Sequence, residues 1–312
     1  MELSNQSLVA QFIIVGFPDV GGYAALLFLL LLISYIFTLS GNVTIITLIG
    51  THRQLHVPLY IFVAILSFLE MWYTTVTIPK MLTNLVNVKV ISYTGCLLQI
   101  YFFHSLGITE AYLLTAMAFD RYMAICNPLR YPSIMTIVCC FQLAACCWVI
   151  GFIGPLTQII LLSHLLFCHS NLVKHIFCDF TPLMNLACSD TSLNIKVDFV
   201  INFFIIFVSF TCILLSYLKI ISTVLKIKTA EGRKKAFSTC GAHLTVVFLF
   251  FGSVCFMYVR PIKTNSASYD RIMAVIYSVL TPMLNPVIYS LRNQEIRRVL
   301  KKKFAELFKD LV

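Results

Sequence analysis

The sequence predicts an all-α membrane protein: a seven-transmembrane helix bundle with its N-terminus outside the cell and a short amphipathic eighth helix on the cytosolic side. Three observations carry this. Of 312 residues, 59% are hydrophobic and only 12% charged, against roughly 25% charged in a soluble domain. Apolar runs of about 20 residues, enough to cross a bilayer, can be placed at 24–49, 57–82, 96–122, 137–163, 197–225, 236–259 and 272–291. Basic residues accumulate in short cytosolic loops. With the N-terminus outside, that side receives Arg53, Arg121, Arg130, Lys219, Lys226, Lys228, Arg233, Lys234, Lys235 and the basic residues from Arg292 onward. The net charge of +10 would then face anionic lipid and an acidic partner. Nucleic-acid binding is not needed to explain it.

The chain thus divides into an outer tail (1–23), the seven-span domain (24–291) and a cytosolic amphipathic helix and tail (292–312). The first 23 residues hold no Lys or Arg, so they lack the basic region of a cleavable signal peptide, and the first span reads as an uncleaved signal anchor. Asn5-Gln6-Ser7 is a glycosylation sequon in this tail, so Asn5 is the expected glycan site. Asn42-Val43-Thr44 has the same pattern but lies inside a span.

Within the spans, Asn42, Glu70, Glu110 and Asn285 are polar where lipid makes polarity costly. Such groups normally face the bundle interior. Two acids there could share a cation, one could stay protonated, or the group could be a hydrogen-bonded tie without an ion. The third span ends in Met117-Ala-Phe-Asp-Arg-Tyr-Met-Ala-Ile-Cys126, which sets the Asp120-Arg121 pair at the cytosolic end. A plain headgroup anchor would need no more than this.

Residues 164–196 are too long for a mere connector. They carry Cys168, Cys178 and Cys188, and Cys96 opens the third span on the same side. Four cysteines allow three connectivities, and spacing does not choose among them. The remaining cysteines fall in spans or at cytosolic ends, where a small apolar core residue is the simpler reading. The seventh span closes on Pro282-Met-Leu-Asn285-Pro286-Val-Ile-Tyr289, where a proline removes a helical hydrogen bond and favours a hinge. Beyond Arg292, basic residues alternate with Val299, Leu300, Phe304, Leu307, Phe308 and Leu311. The last four follow helical spacing, as in a helix lying on the inner leaflet.

Over essentially its whole length the chain resembles the odorant (olfactory) receptors, a branch of the rhodopsin-like G-protein-coupled receptors. Gly41-Asn42, Glu70, Asp120-Arg121-Tyr122, Trp148 and Asn285-Pro286 through Tyr289 match the wider family. The olfactory branch is marked by Leu55-His-Val-Pro-Leu-Tyr60, Pro79-Lys80, Ser216-Tyr217, Lys235-Ala-Phe-Ser-Thr-Cys240 with His243, and Pro282 to Asn293. Ser209 and Phe250-Phe-Gly-Ser253 stand where most other rhodopsin-like receptors carry a proline and a Cys-Trp-x-Pro run. Departures from the olfactory pattern are Leu59 for Met, Glu70 for Asp, Phe119 for Tyr and Phe251 for Tyr. The last removes a hydroxyl near the expected pocket floor.

The resemblance implies disulfides Cys96–Cys178 and Cys168–Cys188. It implies a sodium site at Asn42, Glu70, Glu110 and Asn285, the only cofactor expected. It also implies an Arg121 held by Asp120 at rest and released on activation with support from Tyr217 and Tyr289, beside Tyr122 and the Asn285-Pro286 hinge. Lys234 and Lys235 would face a stimulatory G protein. A ligand pocket would be lined by Phe103, His104, Gly107, Ile108, Ile201, Asn202, Ile205, Phe251, Val254, Cys255, Tyr258 and Ser278. Phe103 replaces the aspartate of amine receptors, which disfavours a cationic ligand and points to a neutral, volatile odorant. The implied location is the plasma membrane, in cilia of olfactory sensory neurons. Other membrane classes fit less well: no pair of interrupted helices in two halves suggests a transporter, and no ring of pore-lining groups suggests a channel. No metal-binding His spacing, nucleophile elbow or phosphate loop suggests an enzyme.

Overall fold

The computed structural model of the chain describes residues 9–18, 21–168, 170–258, 267–292 and 295–302. Among these, the helices are α1 (Ala24–Thr51), α2 (Pro58–Leu85), α3 (Tyr93–Cys126), α4 (Tyr131–Ile134), α5 (Ile137–Ile153), α6 (Leu156–Ser163), α7 (Phe180–Met184), α8 (Ser192–Leu225), α9 (Ala230–Tyr258), α10 (Ala267–Val275) and α11 (Thr281–Arg292). A further helical stretch covers 295–302. The seven spans are α1, α2, α3, α5 with α6, α8, α9, and α10 with α11. Local chemistry sets several starts. Pro58 occupies the first turn of α2, where its missing N–H costs nothing. Ser92 caps α3 by accepting from Gly95 N, and Thr136 caps α5 by accepting from Cys139 N. Inside the spans, hydroxyls such as Thr44 and Thr47 donate to the carbonyl one turn back, so they can face lipid without an orphaned donor.

Among the described residues, five helical stretches, Gly21–Thr51, Pro58–Leu85, Ile137–Ser163, Ser192–Leu225 and Tyr269–Ser290, are long and apolar enough to cross a bilayer by themselves. In α1 and α8 only 11% of the most apolar window is buried in the protein, against 56% in α2. Their Leu, Ile and Phe side chains face outward, as lipid allows. Helix α3 packs against α2, α5, α6, α8 and α9. Because protein surrounds it, it can bury Gln99, His104, Glu110, Asp120 and Arg121. This is why it reads as less apolar than its neighbours. In α9 the apolar stretch is shorter, Cys240–Val254, because the helix begins in the basic run.

Two spans are less regular than their hydropathy suggests. The fourth is interrupted at Gly154-Pro155, where proline lacks the N–H that would continue the ladder. In the seventh, Ile276–Leu280 forms a π-helical turn just before Pro282. Proline cannot donate to Ser278 O, and its ring crowds that carbonyl, so the preceding turn widens.

The structure adds a small sheet to the helical bundle. Strand β1 (Gln11–Ile14) lies between β2 (Val90–Ser92), antiparallel to it, and β3 (Leu172–Val173), parallel to it. Phe12 and Ile14 are fully buried in a second core with Ile100, Leu162, Phe167 and Cys178. The segment expected as a tail is thus, over these residues, woven into the long loop. Disulfides Cys96–Cys178 and Cys168–Cys188 are both present. At the opposite end, Ile296 and Val299 are buried while Arg297 and Arg298 are exposed, an amphipathic pattern. Asn5 and the apolar positions from Phe304 onward lie outside the described residues.

Candidate ligand cavity and coupling face

Phe103, His104, Gly107, Ile108 and Ala111 of α3 recur at helical spacing and so share one face. With Asn202, Ile205 and Ile206 of α8, Phe250, Phe251 and Val254 of α9, and Tyr277 of the π turn, they line a cavity that, with its open mouth, holds ≈ 440 Å³ of empty space. The lining has the usual make-up of a small-molecule site, many apolar and few polar groups. Phe103 is wedged between Tyr73 and Phe177, with ring centroids 5.2 and 5.0 Å away. The Cys96–Cys178 bridge therefore holds the loop directly over this wall. Gly107 leaves the room: a Cβ there would come within 2.8 Å of the Tyr277 hydroxyl.

Of the residues expected here, Phe103, His104, Gly107, Ile108, Asn202, Ile205, Phe251 and Val254 are brought together. Ile201 and Ser278 are not in the lining. Ser278 is buried and donates to Ala274 O, and Tyr277 takes the cavity-facing position because the π turn alters which residue faces inward. The side chains of Cys255 and Tyr258 lie outside the described residues. Ala111, Ile206 and Phe250 were not among the lining residues the resemblance implied, although they are helical neighbours of Gly107, Ile205 and Phe251. Tyr277 takes the place that the resemblance gave to its neighbour Ser278.

A polar layer closes the cavity on the side of the long loop. His104 Nε2 lies 3.5 Å from Asp179 Oδ1, and Asp179 also accepts from Phe180 N at 2.8 Å. Asp198 Oδ1 accepts from Gln158 Nε2 at 2.8 Å and Asn202 Nδ2 at 2.9 Å. Burial would raise the Asp179 carboxyl, but the nearby imidazole of His104, with His175 and the Phe180 amide, outweighs it and holds it below its ordinary value. Burial pushes His175 of the loop down, and its Nδ1 lies 3.2 Å from Phe177 O. Asp179, Asp198 and Gln158 were missed in the sequence, where only Asp198's spacing of four from Asn202 hinted at a role.

Deeper in the bundle, Asn285 Nδ2 donates to Glu70 Oε1. The carboxyls of Glu70 and Glu110 lie within hydrogen-bonding reach of each other, and Asn42 Nδ2 donates to Thr38 O. Four oxygens remain buried without a hydrogen bond: Asn42 Oδ1, Glu70 Oε2, Glu110 Oε1 and Asn285 Oδ1.

At the basic end, Arg121 pairs with Asp120 in a buried contact. Tyr131 of α4 donates to the other oxygen of Asp120 at 2.8 Å. Burial and the Asp120 charge raise the Tyr131 phenol, so it remains a donor. Tyr217 of α8 lies 2.7 Å from His243 Nδ1, and His243 Nε2 lies 3.0 Å from Leu114 O of α3. Tyr289 is buried with its hydroxyl unbonded. Tyr122 is half-buried and packs on Phe119. Pro286 lies inside α11 against Gly41 of α1, where a Cβ would come within 3.1 Å of its ring. Lys234 and Lys235 lie on α9, their side chains outside the described residues.

A family model described as olfactory receptor matches residues 31–307. The chain belongs to the olfactory receptor family. It is 54% identical over 308 residues to human olfactory receptor 6N1, covering 98% of this chain and 99% of that protein. It is 49% identical to human olfactory receptor 6K2, covering 98% and 95%, and 45% identical to mouse olfactory receptor 6B9, covering 97% and 96%. This olfactory receptor is therefore a multi-pass membrane protein of a family that receives odorants and signals as G-protein-coupled receptors. The cavity, the intramembrane acids and the Asp120-Arg121 pair all lie inside the matched span.

Proposed function

We propose that this receptor, oriented with its N-terminus outside, binds a small, mostly apolar volatile ligand in the cavity and activates a stimulatory, olfactory-type G protein at its basic face, raising cyclic AMP. One observation carries the reading. Helix α9 lines the cavity with Phe250, Phe251 and Val254, and two turns away its His243 ties α9 to α3 and α8. A ligand that fits the cavity better when α9 has moved shifts the population towards that state, since only differential affinity can do so. Movement of α9 would part His243 from Leu114 and free Tyr217, while Arg121 leaves Asp120 for the G protein with Tyr217 and Tyr289 in support. Lys234 and Lys235 would meet the acidic partner surface. The natural setting of this chemistry is the ciliary plasma membrane of an olfactory sensory neuron. The test is cyclic AMP in cells expressing the chain, screened with diverse odorants beside Arg121→Ala. Responses that vanish in the variant at equal surface expression support the reading; responses that persist overturn the coupling role.

We further propose that Asn42, Glu70, Glu110 and Asn285 hold a sodium ion when it is bound. Four buried oxygens without hydrogen bonds fit a hard cation, which takes oxygen ligands, although no cluster of three His, Cys, Asp or Glu suited to a metal occurs among the described residues. The ion would offset one negative charge of the acid pair and link α1, α2, α3 and α11. Thermal unfolding of purified receptor in sodium against choline chloride tests this: a sodium-dependent rise that Glu70→Ala removes supports the site, and equal curves overturn it.

A further inference from the structure

Two acids stand behind the cavity lining at one end, joined to it through His104 and Asn202. Asp198 is held there by the Gln158 and Asn202 amides, two neutral donors that fix the carboxylate without cancelling its charge. Asp179 reaches the same place from the loop, its position set by the Cys96–Cys178 bridge and by the Phe180 N–H. His104, which lines the cavity, is 3.5 Å from Asp179 and feels the charge of Asp198. A single imidazole neutralises at most one of two carboxylates. Among the described residues no lysine or arginine is paired with either acid, and Lys174 and Lys196, near them in sequence, are exposed.

We propose that this end of the cavity selects ligands with a protonated amine on a small apolar body, and that Asp198 is the specificity-determining residue. The proposal rests on the cavity being the ligand site. An anionic head would meet uncompensated negative charge in a partly dehydrated place, where repulsion is screened least. An alcohol gains one hydrogen bond. An ammonium gains the charge-assisted bond, roughly twice as strong as a neutral one, while its hydrocarbon part fills the Phe251 and Ile205 side. Phe103 at the position where amine receptors keep an aspartate argues against a cation only if the acid must come from α3. Here α8 and the loop supply it.

The test is a chain-matched series, hexan-1-amine, hexan-1-ol and hexanoic acid, with 2-phenylethylamine and 2-phenylethanol, read as cyclic AMP against wild type and Asp198→Asn at measured surface expression. The amide keeps Oδ1 as an acceptor for Gln158 and Asn202 and removes the charge. The expected result is that amines act at least 10-fold below their alcohols in concentration, that the acid is silent, and that Asp198→Asn shifts only the amines, by 10-fold or more. An alcohol or acid that outranks its amine overturns the proposal but leaves the cavity as the ligand site. Amines unaffected by Asp198→Asn also overturn it. Should that variant not reach the surface, the wild-type ranking decides. Silence to the whole series and to a broad odorant panel, in cells where a control receptor responds, counts against both the amine preference and the odorant reading.

Discussion

Tyr217 and His243 share a buried hydrogen bond of 2.7 Å that joins α8 to α9. A backbone carbonyl can only accept, so His243 Nε2 donates to Leu114 O at 3.0 Å, and in the neutral ring Nδ1 accepts from the Tyr217 hydroxyl. One imidazole thus ties three spans together at the level between cavity and coupling face.

His243→Phe keeps the ring volume and removes both bonds. Losing them costs the clamped arrangement about 1–3 kcal/mol, and the expected outcome is ligand-independent cyclic AMP several-fold above wild type at equal surface density. Unchanged basal signalling would show that the clamp does not oppose movement of α9.

Gly107 provides the cavity's space beside Tyr277. Gly107→Leu should abolish responses to every ligand while cell-surface staining stays near wild type, because the new side chain fills an existing void. Gly107→Ala need only displace the far end of the Tyr277 side chain, so it should weaken the larger ligands first. Equal potency of all ligands in the leucine variant would place binding elsewhere.

Gly151 is a packing glycine. A Cβ there would fall on Thr109 Oγ1 and lie 2.8 Å from Ser105 O, so α5 could not approach α3. Overpacking of this kind costs typically 1–3 kcal/mol. Gly151→Leu should retain the chain inside the cell, read as lost surface staining with total protein preserved; normal surface levels would contradict the tight contact.

Asp179 gives a pH dependence with a definite sign. Its folded pKa is held below the ordinary 3.8, so its contribution to stability is fully present above that value and is lost as pH falls through the lower, folded one. In thermal unfolding of purified receptor, the margin of wild type over Asp179→Asn should persist down to about pH 4 and close only below it. A margin that closes between pH 7 and 5 would mean that the Asp179 carboxyl is not held low.

Much of the site could be read from the sequence. Phe103, His104, Gly107 and Ile108 on α3, with Asn202 and Ile205 on α8, were implied by the resemblance to odorant receptors, and the regular helical spacing of both segments lets such a residue-by-residue transfer hold. Tyr277 could not be read this way, because the π turn ahead of Pro282 breaks the period on which such a reading depends. Nor could Asp179, whose approach to His104 depends on how a disulfide-tied loop folds back over the bundle.

What the sequence determined by itself was the class of the molecule, the spans, the basic end and the motif order. Each of these depends on composition or on neighbours within a few residues, and the bilayer enforces both by penalising every unpaired polar group. Tertiary structure alone decided the rest: the strand formed by Gln11–Ile14, the linkage of Leu114, Tyr217 and His243, and the gathering of Asp179 and Asp198 around His104. Those contacts join residues far apart in the chain, and their geometry follows from how whole helices and one long loop pack.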